Sequence, residues 1–115
     1  MMKLTIAAAS LLLACAAAQA GNPEAGKEKS RTCAACHGAD GNSAAGDFPK
    51  LAGQHYDYLV KSLKDYKTGA RKNAIMAPLV ANLTQRDFED LAAFYSHQQG
   101  LVTRKISYLV PSGKH

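Results

Sequence analysis

Two cysteines and a histidine stand close together in the segment Cys33-Ala34-Ala35-Cys36-His37. No other feature limits the fold as strongly, because whatever these three groups bind or form must be accommodated at one point of a short chain. Three kinds of chemistry use such a cluster: a dithiol that switches between reduced and oxidised forms, half of a zinc site, and an attachment point for haem. The surrounding sequence discriminates among them.

The first twenty residues have the pattern of an export signal. Met1-Met2-Lys3 gives a positive start, residues 4–18 form an apolar run, and Ala18-Gln19-Ala20 is a small-residue cleavage site. We predict a signal peptide over residues 1–20, cleavage after Ala20, and release into the periplasm. Residues 12–15, Leu-Leu-Ala-Cys, weakly resemble a lipoprotein processing site and provide the alternative.

The remaining chain is long enough for one small domain, which we assign to residues 21–100, followed by a C-terminal tail over residues 101–115. A domain of this size buries a thin core, and such domains often add a metal, disulfides or a cofactor. No second apolar stretch approaches membrane length, so we predict no membrane span. A formal net charge of +5 is compatible with nucleic-acid binding, but an exported chain without a recognition motif is not expected to bind nucleic acid.

Helix signals begin soon after the cleavage site. Asn22 can cap a helix that has proline at its first position, and we predict that this helix runs to about Thr32, ahead of the cysteines. A second helix is predicted over residues 55–68, where apolar and charged residues alternate at helical spacing. Gly69 is expected to end it.

The last predicted helix has the clearest start. Thr84 can form a capping box with Asp87, the apolar residues that follow repeat at helical spacing, and Gly100 is expected to end the helix. Residues 38–48 and 70–83 read as loops, which are long for a compact domain unless they surround a bound group. We therefore predict an all-α fold of three principal helices and long loops.

The zinc and dithiol alternatives are less consistent with this chain than haem attachment. Structural zinc usually takes four ligands, and the other histidines, His55, His97 and His115, are scattered. A thioredoxin-like dithiol follows a strand, and no strand pattern is present. Two thiols at this spacing can form thioethers with the two vinyl groups of a porphyrin, and the histidine after the second cysteine can bind the iron.

Five segments, taken in order, resemble class I cytochromes c, and in particular a single-haem unit of the bacterial cytochrome c(4)/c(5) type. They are Cys33-Ala34-Ala35-Cys36-His37-Gly38, Phe48-Pro49-Lys50-Leu51-Ala52-Gly53-Gln54, Gly69-Ala70-Arg71, Met76-Ala77-Pro78 and Leu91-Ala92-Ala93-Phe94-Tyr95. The resemblance extends over residues 22–99. It implies a small cytochrome c fold wrapped around one covalently bound haem c with its iron.

The resemblance also implies roles for single residues. Cys33 and Cys36 would carry the thioethers, and His37 and Met76 would bind the iron from opposite faces. The carbonyl of Pro49 would accept the ring N–H of His37, which fixes the imidazole and tunes the iron.

Further residues of the pocket follow from the same resemblance. Leu51 and Leu63 would pack on the porphyrin, and Arg71 would bond a haem propionate, although a solvated loop arginine is an equally good interpretation. Residues 25–26 of the first helix would meet residues 94–95 where the terminal helices cross. His55 is the only rival for the position of Met76.

An iron with histidine and methionine on its two faces has no open coordination position, and this ligation raises the reduction potential. We therefore predict an electron-transfer protein and not an enzyme: a periplasmic carrier between larger redox proteins of a respiratory or oxidative chain. Its partners are expected to have acidic faces, and the chain is expected to be a monomer.

Two alternatives keep the same fold. The chain could be the dedicated haem subunit of a dehydrogenase or of a nitrite- or sulfur-oxidising complex. It could also be a sensing haem protein with a labile Met76 bond. A cytochrome c(4) has two haem units in tandem, whereas this chain has one attachment motif.

Overall fold

The computed structural model describes residues 20–101, and over this range the chain is helical, without strands. The helices are α1 (Pro23–Lys29), α2 (Arg31–His37), α3 (Tyr56–Thr68), α4 (Met76–Val80) and α5 (Gln85–Ser96). The all-α prediction is confirmed. The predicted signal peptide up to residue 19 and the tail after Leu101 lie outside the described residues. None of the helices in the described range is both long and apolar enough to span a membrane.

The first predicted helix is divided into two at Ser30. Asn22 caps α1 as expected, since its side chain accepts two backbone N–H groups of the first turn. The Ser30 hydroxyl donates to the carbonyl of Lys27 at 2.7 Å, and a serine that bonds to the preceding turn competes with helix continuation. The chain then starts α2, so both cysteines and His37 lie within a helix and not after one.

The longer helices, α3 and α5, begin close to their predicted positions. Gly69 ends α3 with φ of 80°, a left-handed conformation that favours glycine. Thr84 and Asp87 form the predicted capping box of α5, but α5 ends at Ser96 and not at Gly100. The segment predicted as an irregular loop contains the short helix α4, which begins at Met76.

Helices α1 and α5 cross in close contact. A Cβ added to Gly26 would lie 1.9 Å from the carbonyl oxygen of Asp90 and 2.8 Å from Cβ of Phe94. Position 26 therefore accepts only glycine at this crossing. The predicted meeting of the terminal helices at residues 25–26 and 94–95 is confirmed, and this crossing holds α2 and its cysteines at the edge of the core.

A buried carboxylate joins the same two helices. The side chain of Asp90 is 4% exposed; it accepts the backbone N–H of Asn22 at 2.7 Å and the ammonium of Lys29 at 2.6 Å. Lys29 also pairs with Asp87 at 2.7 Å. Its hydrogen bond lowers the pKa of Asp87 to about 2, with help from the Thr84 backbone. Burial opposes ionisation of Asp90, but Lys29 and the Asn22 N–H outweigh it and lower the pKa of that carboxyl as well.

Replacing Lys29 with methionine should lower the free energy of unfolding by about 1–2 kcal/mol at pH 7, a value reduced for the partial exposure of the pair. Because the carboxyl pKa is lower in the folded state, this stabilisation is present above about pH 4 and disappears as the pH falls toward 2. Denaturant titrations of the haem-loaded protein at pH 7, 4 and 2 measure it. Lys27→Met, which removes an exposed lysine of the same helix, is the control. A difference that persists unchanged at pH 2 would contradict the ion-pair explanation.

Candidate haem site

A cavity of about 400 Å³ opens between the helices, with α2 on one side and α4 among its other walls. It brings together every residue that the sequence analysis assigned to the haem site: Cys33, Cys36, His37, Pro49, Leu51, Leu63, Arg71 and Met76. His55, the rival to Met76, is exposed just before α3 and is not one of the lining residues. A more open hollow of about 550 Å³ beside α1 includes His97 but no thiol or thioether.

Helix α2 presents the attachment motif. Residues three and four positions apart share one face of a helix, so Cys33, Cys36 and His37 point to the same side, and all three line the cavity. Both thiols are free and half-buried. The helix thus explains the spacing of the motif. Two thiols and one imidazole, three and four residues apart, can reach one planar ligand from the same helix face.

The ring of His37 is buried and fixed by one hydrogen bond. Its Nδ1 lies 2.8 Å from the carbonyl oxygen of Pro49. Because a carbonyl can only accept, Nδ1 carries the proton and Nε2 keeps a lone pair, which is the form of imidazole that binds a metal. The loop that carries Pro49 is itself tied down, since the N–H groups of Leu51 and Ala52 donate to the carbonyl of Gly41 at 2.8 and 3.1 Å.

Met76 reaches the cavity from the first position of α4, and Asn73 positions it. The Asn73 side chain accepts the backbone N–H of Ile75 at 3.0 Å and that of Met76 at 2.8 Å. This satisfies N–H groups that would otherwise be unpaired at the start of a helix. The sequence analysis missed Asn73. Asn73 stands immediately before the apolar residues 74–80, and an asparagine in that place is a capping signal that could have revealed it.

The rest of the wall is mainly apolar. Four buried or nearly buried side chains of the core line the cavity: Leu59, Val80, Leu91 and Ala92. Arg71 is exposed at the rim, where its guanidinium lies 4.7 Å from the ring centroid of Tyr66. This cation–π contact holds a positive charge beside the cavity, in a position suited to a carboxylate of a bound ligand.

These residues fit a covalently attached haem. The site offers two thiols for the vinyl groups, a buried imidazole with a free Nε2, a thioether sulfur, an apolar wall and a cation at the rim. Histidine imidazole and methionine thioether are established axial ligands of haem iron, and the identity of these ligands sets the iron chemistry.

Comparison with known proteins agrees with this geometry. The cytochrome c family model matches residues 23–99. Cytochrome c4 from Pseudomonas aeruginosa is 45% identical over 95 residues, which cover 83% of this chain and 47% of the relative. A relative from Stutzerimonas stutzeri, named thiosulfate dehydrogenase electron acceptor, is 49% identical over 63 residues, which cover 53% of this chain and 29% of that protein.

A solved structure gives the same result for the fold. The crystal structure of reduced recombinant cytochrome c4 from Pseudomonas stutzeri matches with a TM-score of 0.68 and 47% identity, over 72% of this chain and 48% of that one. The chain thus spans about half the length of the cytochrome c4 relatives that it matches. Its cofactor is covalently bound haem c, and Cys33 and Cys36 fit the attachment motif. The chain belongs to the cytochrome c family, as a class I c-type cytochrome of the c4 type.

Proposed function

We propose that this electron-transfer cytochrome is a periplasmic one-electron carrier whose iron is bound by His37 and Met76. The observation that carries the proposal is the fixed tautomer of His37: the Pro49 carbonyl leaves Nε2 as the basic nitrogen of a buried ring. Met76 is the methionine that lines the same cavity. Cys33 and Cys36 are proposed to hold the porphyrin between these two side chains.

Such a site favours electron transfer over catalysis at the metal. When bound, the haem supplies an iron that can gain or lose one electron. The protein residues would hold that iron rigidly: Pro49 fixes the ring of His37, Asn73 fixes the start of the helix that carries Met76, and the apolar core would exclude water. With His37 and Met76 as its ligands, the iron would offer no free coordination position to a substrate.

Exposed apolar side chains line the cavity, and basic side chains lie on α3 and the segment after it. Tyr58, Ile75 and Leu79 line the cavity and are at least half exposed. Basic residues lie on α3 and the segment after it, but they are not equivalent. Lys61 pairs with Asp65, and Lys67 donates to the carbonyl of Leu83.

On α3 and the segment after it, Lys64 and Lys72 are the lysines that have neither a carboxylate nor a carbonyl partner among the described residues. Opposite charge accelerates encounter without requiring tight binding, which suits a carrier that must release its partner quickly. We therefore propose acidic-faced redox proteins as donors and acceptors.

Electron transfer to an acidic-faced redox protein should slow as salt is added, because the Debye length falls from ~30 Å at 0.01 M to ~8 Å at 0.15 M. Lys64→Glu should slow it about threefold at low salt without changing the haem potential. Rapid-mixing kinetics over this range of ionic strength measure both effects. Lys27→Glu changes the net charge equally on α1, away from the cavity, and is the matched control. Equal slowing by both variants, or a rate indifferent to salt, would show that docking does not use this lysine face.

A second candidate function is supported by one comparison. The relative named thiosulfate dehydrogenase electron acceptor favours a role as the dedicated acceptor of a single oxidising enzyme. In that case the chain should remain bound to one enzyme through size-exclusion chromatography of periplasmic extracts. Elution of the chain at the mass of a monomer, with reduction by several donors at similar rates, supports the free carrier instead.

A further inference from the structure

The hydroxyl of Tyr95 is buried in the wall of the haem cavity. The residue is 3% exposed and lines the cavity from α5. Among the described residues, no group lies within hydrogen-bonding geometry of its oxygen. A buried hydroxyl without a partner is costly, and such groups in native proteins call for an explanation.

The position of the Tyr95 ring is fixed on several sides. Its backbone carbonyl accepts the N–H of Gly53 at 2.9 Å. A Cβ at Gly41 would lie 2.7 Å from Cδ1 of the ring, so glycine is required there for the ring to fit. The ring of Phe94 lies 5.0 Å away, centroid to centroid. The hydroxyl therefore cannot reach solvent by a small movement of the side chain.

The polar groups next to this hydroxyl are the thiol of Cys33 and the hydroxyl of Ser30. Burial, and then the neighbouring Cys33, raise the pKa of Tyr95, so the phenol keeps its proton and remains a donor. Ser30 gives its own hydrogen to the carbonyl of Lys27. Its oxygen could still accept a hydrogen bond, but no such bond joins it to Tyr95. The sulfur of Cys33 packs against the same core cluster as Tyr95 and is the remaining neighbour on the cavity side.

Attachment of the haem changes what that sulfur can do. When a thiol adds to a vinyl group, the sulfur bonds to one vinyl carbon and the thiol hydrogen moves to the other, with no net oxidation or reduction. The free thiol can donate or accept a hydrogen bond, whereas the thioether has no hydrogen and can only accept. A neutral phenol beside it is a matching donor.

We propose that Tyr95 is a positioning residue that donates a hydrogen bond to the thioether sulfur of Cys33. This inference rests on the proposed attachment at Cys33. The O–H dipole places its positive end at the sulfur and withdraws electron density from the ring system, which stabilises the reduced state. Hydrogen bonds to ligand atoms are a general means by which proteins adjust reduction potentials.

The test is Tyr95→Phe, which removes only the hydroxyl and leaves the ring that packs on Gly41. Tyr56→Phe, which removes the hydroxyl of a tyrosine that packs against the same core cluster without lining the cavity, is the control. The midpoint potential of Tyr95→Phe should fall by an amount equal to about a two- to threefold change in the equilibrium constant for reduction. This change is smaller than the full free energy of a hydrogen bond, because the bond is present in both oxidation states and only the difference in its strength affects the potential. Tyr56→Phe should leave the potential unchanged.

Resonance Raman spectra of the haem-loaded protein provide a signature that a purely structural role would not produce. The carbon–sulfur stretching band of the wild type should shift when exchangeable hydrogens are replaced by deuterium, and Tyr95→Phe should abolish that shift. Ser30→Ala should retain it, because the proposed acceptor is the sulfur and not the serine.

Two outcomes would overturn the inference: a band insensitive to deuterium in the wild type, or loss of the deuterium shift in Ser30→Ala. Mass spectrometry of tryptic peptides separates this failure from failure of the proposed function. Cys33 and Cys36 share one tryptic peptide, so haem on that peptide with no thiol left to alkylate establishes attachment at Cys33. An inert Tyr95 then rejects the hydrogen bond alone. Haem absent from that peptide rejects the attachment itself.

Discussion

Cys33→Ser and Cys36→Ser should each reduce the yield of haem-loaded protein by about tenfold. Serine cannot replace the thioether bond, and a haem held by one sulfur is lost or attached incorrectly during assembly. The purified wild-type protein should have the mass of its peptide plus one haem, and extraction with acidified acetone should leave the colour on the chain. Mass spectrometry and the extraction measure the two quantities.

Loss of the haem should also affect the fold. The cavity is surrounded by core residues such as Leu59, Val80 and Leu91, and a small domain has little other apolar area to bury. Without haem, circular dichroism should show a largely unfolded chain. Ala35→Ser, which changes the exposed residue between the two cysteines and keeps both thiols, is the control. Free extraction of haem from the wild type, or a well-folded protein without haem, would contradict these expectations.

Met76→Ala should leave the haem attached but remove one ligand of its iron. The weak near-infrared band that arises from charge transfer between a methionine sulfur and oxidised haem iron should disappear. The potential should fall by about 0.1 V or more, within the ~0.8 V range that axial ligands cover. The reduced protein should also bind carbon monoxide, because one axial position becomes free. Absorption spectra, redox titration and carbon monoxide binding measure these three changes.

A matched control is available on the same helix. Leu79 also lines the cavity and is 50% exposed, so Leu79→Ala removes apolar contact without removing a sulfur and should keep the near-infrared band. If Met76→Ala keeps the band and the potential, another residue binds the iron. His55→Ala would then be examined, although His55 lies outside the cavity.

Local sequence patterns were sufficient to predict the attachment motif, the starts of α1 and α5, and both ends of α3. Thr84, Asp87 and Gly69 act through bonds or dihedral angles within a few residues, so their effect is visible in the sequence. The break at Ser30 was missed, because a serine between two helical segments ends a helix only when its hydroxyl finds a nearby carbonyl. Helix α4 was missed because it has only five residues, too few for a periodic pattern.

The contacts made by Tyr95 and Asp90 depend on tertiary structure. The family resemblance placed Tyr95 where the terminal helices meet, and the residue is buried. The proposed role of its hydroxyl, however, depends on Cys33, which is far away in the sequence. Asp90 was not singled out, because its partners Asn22 and Lys29 belong to the other end of the domain. Pro49 was placed through the family resemblance, since every residue has a backbone carbonyl and its role cannot be inferred from the residue type.

The crossing of α1 and α5 also bears on how such a domain can diversify. The bond between Asn22 and Asp90 joins residues 68 positions apart, and the loops that surround the cavity lie between them. Because the entropy of closing a loop grows only with the logarithm of its length, insertions or deletions in those loops cost little once the crossing is made. Evolution can therefore lengthen or shorten the segments around residues 42–48 and 69–75 while α2 keeps its place. One invariant framework could in this way present different surfaces to different redox partners.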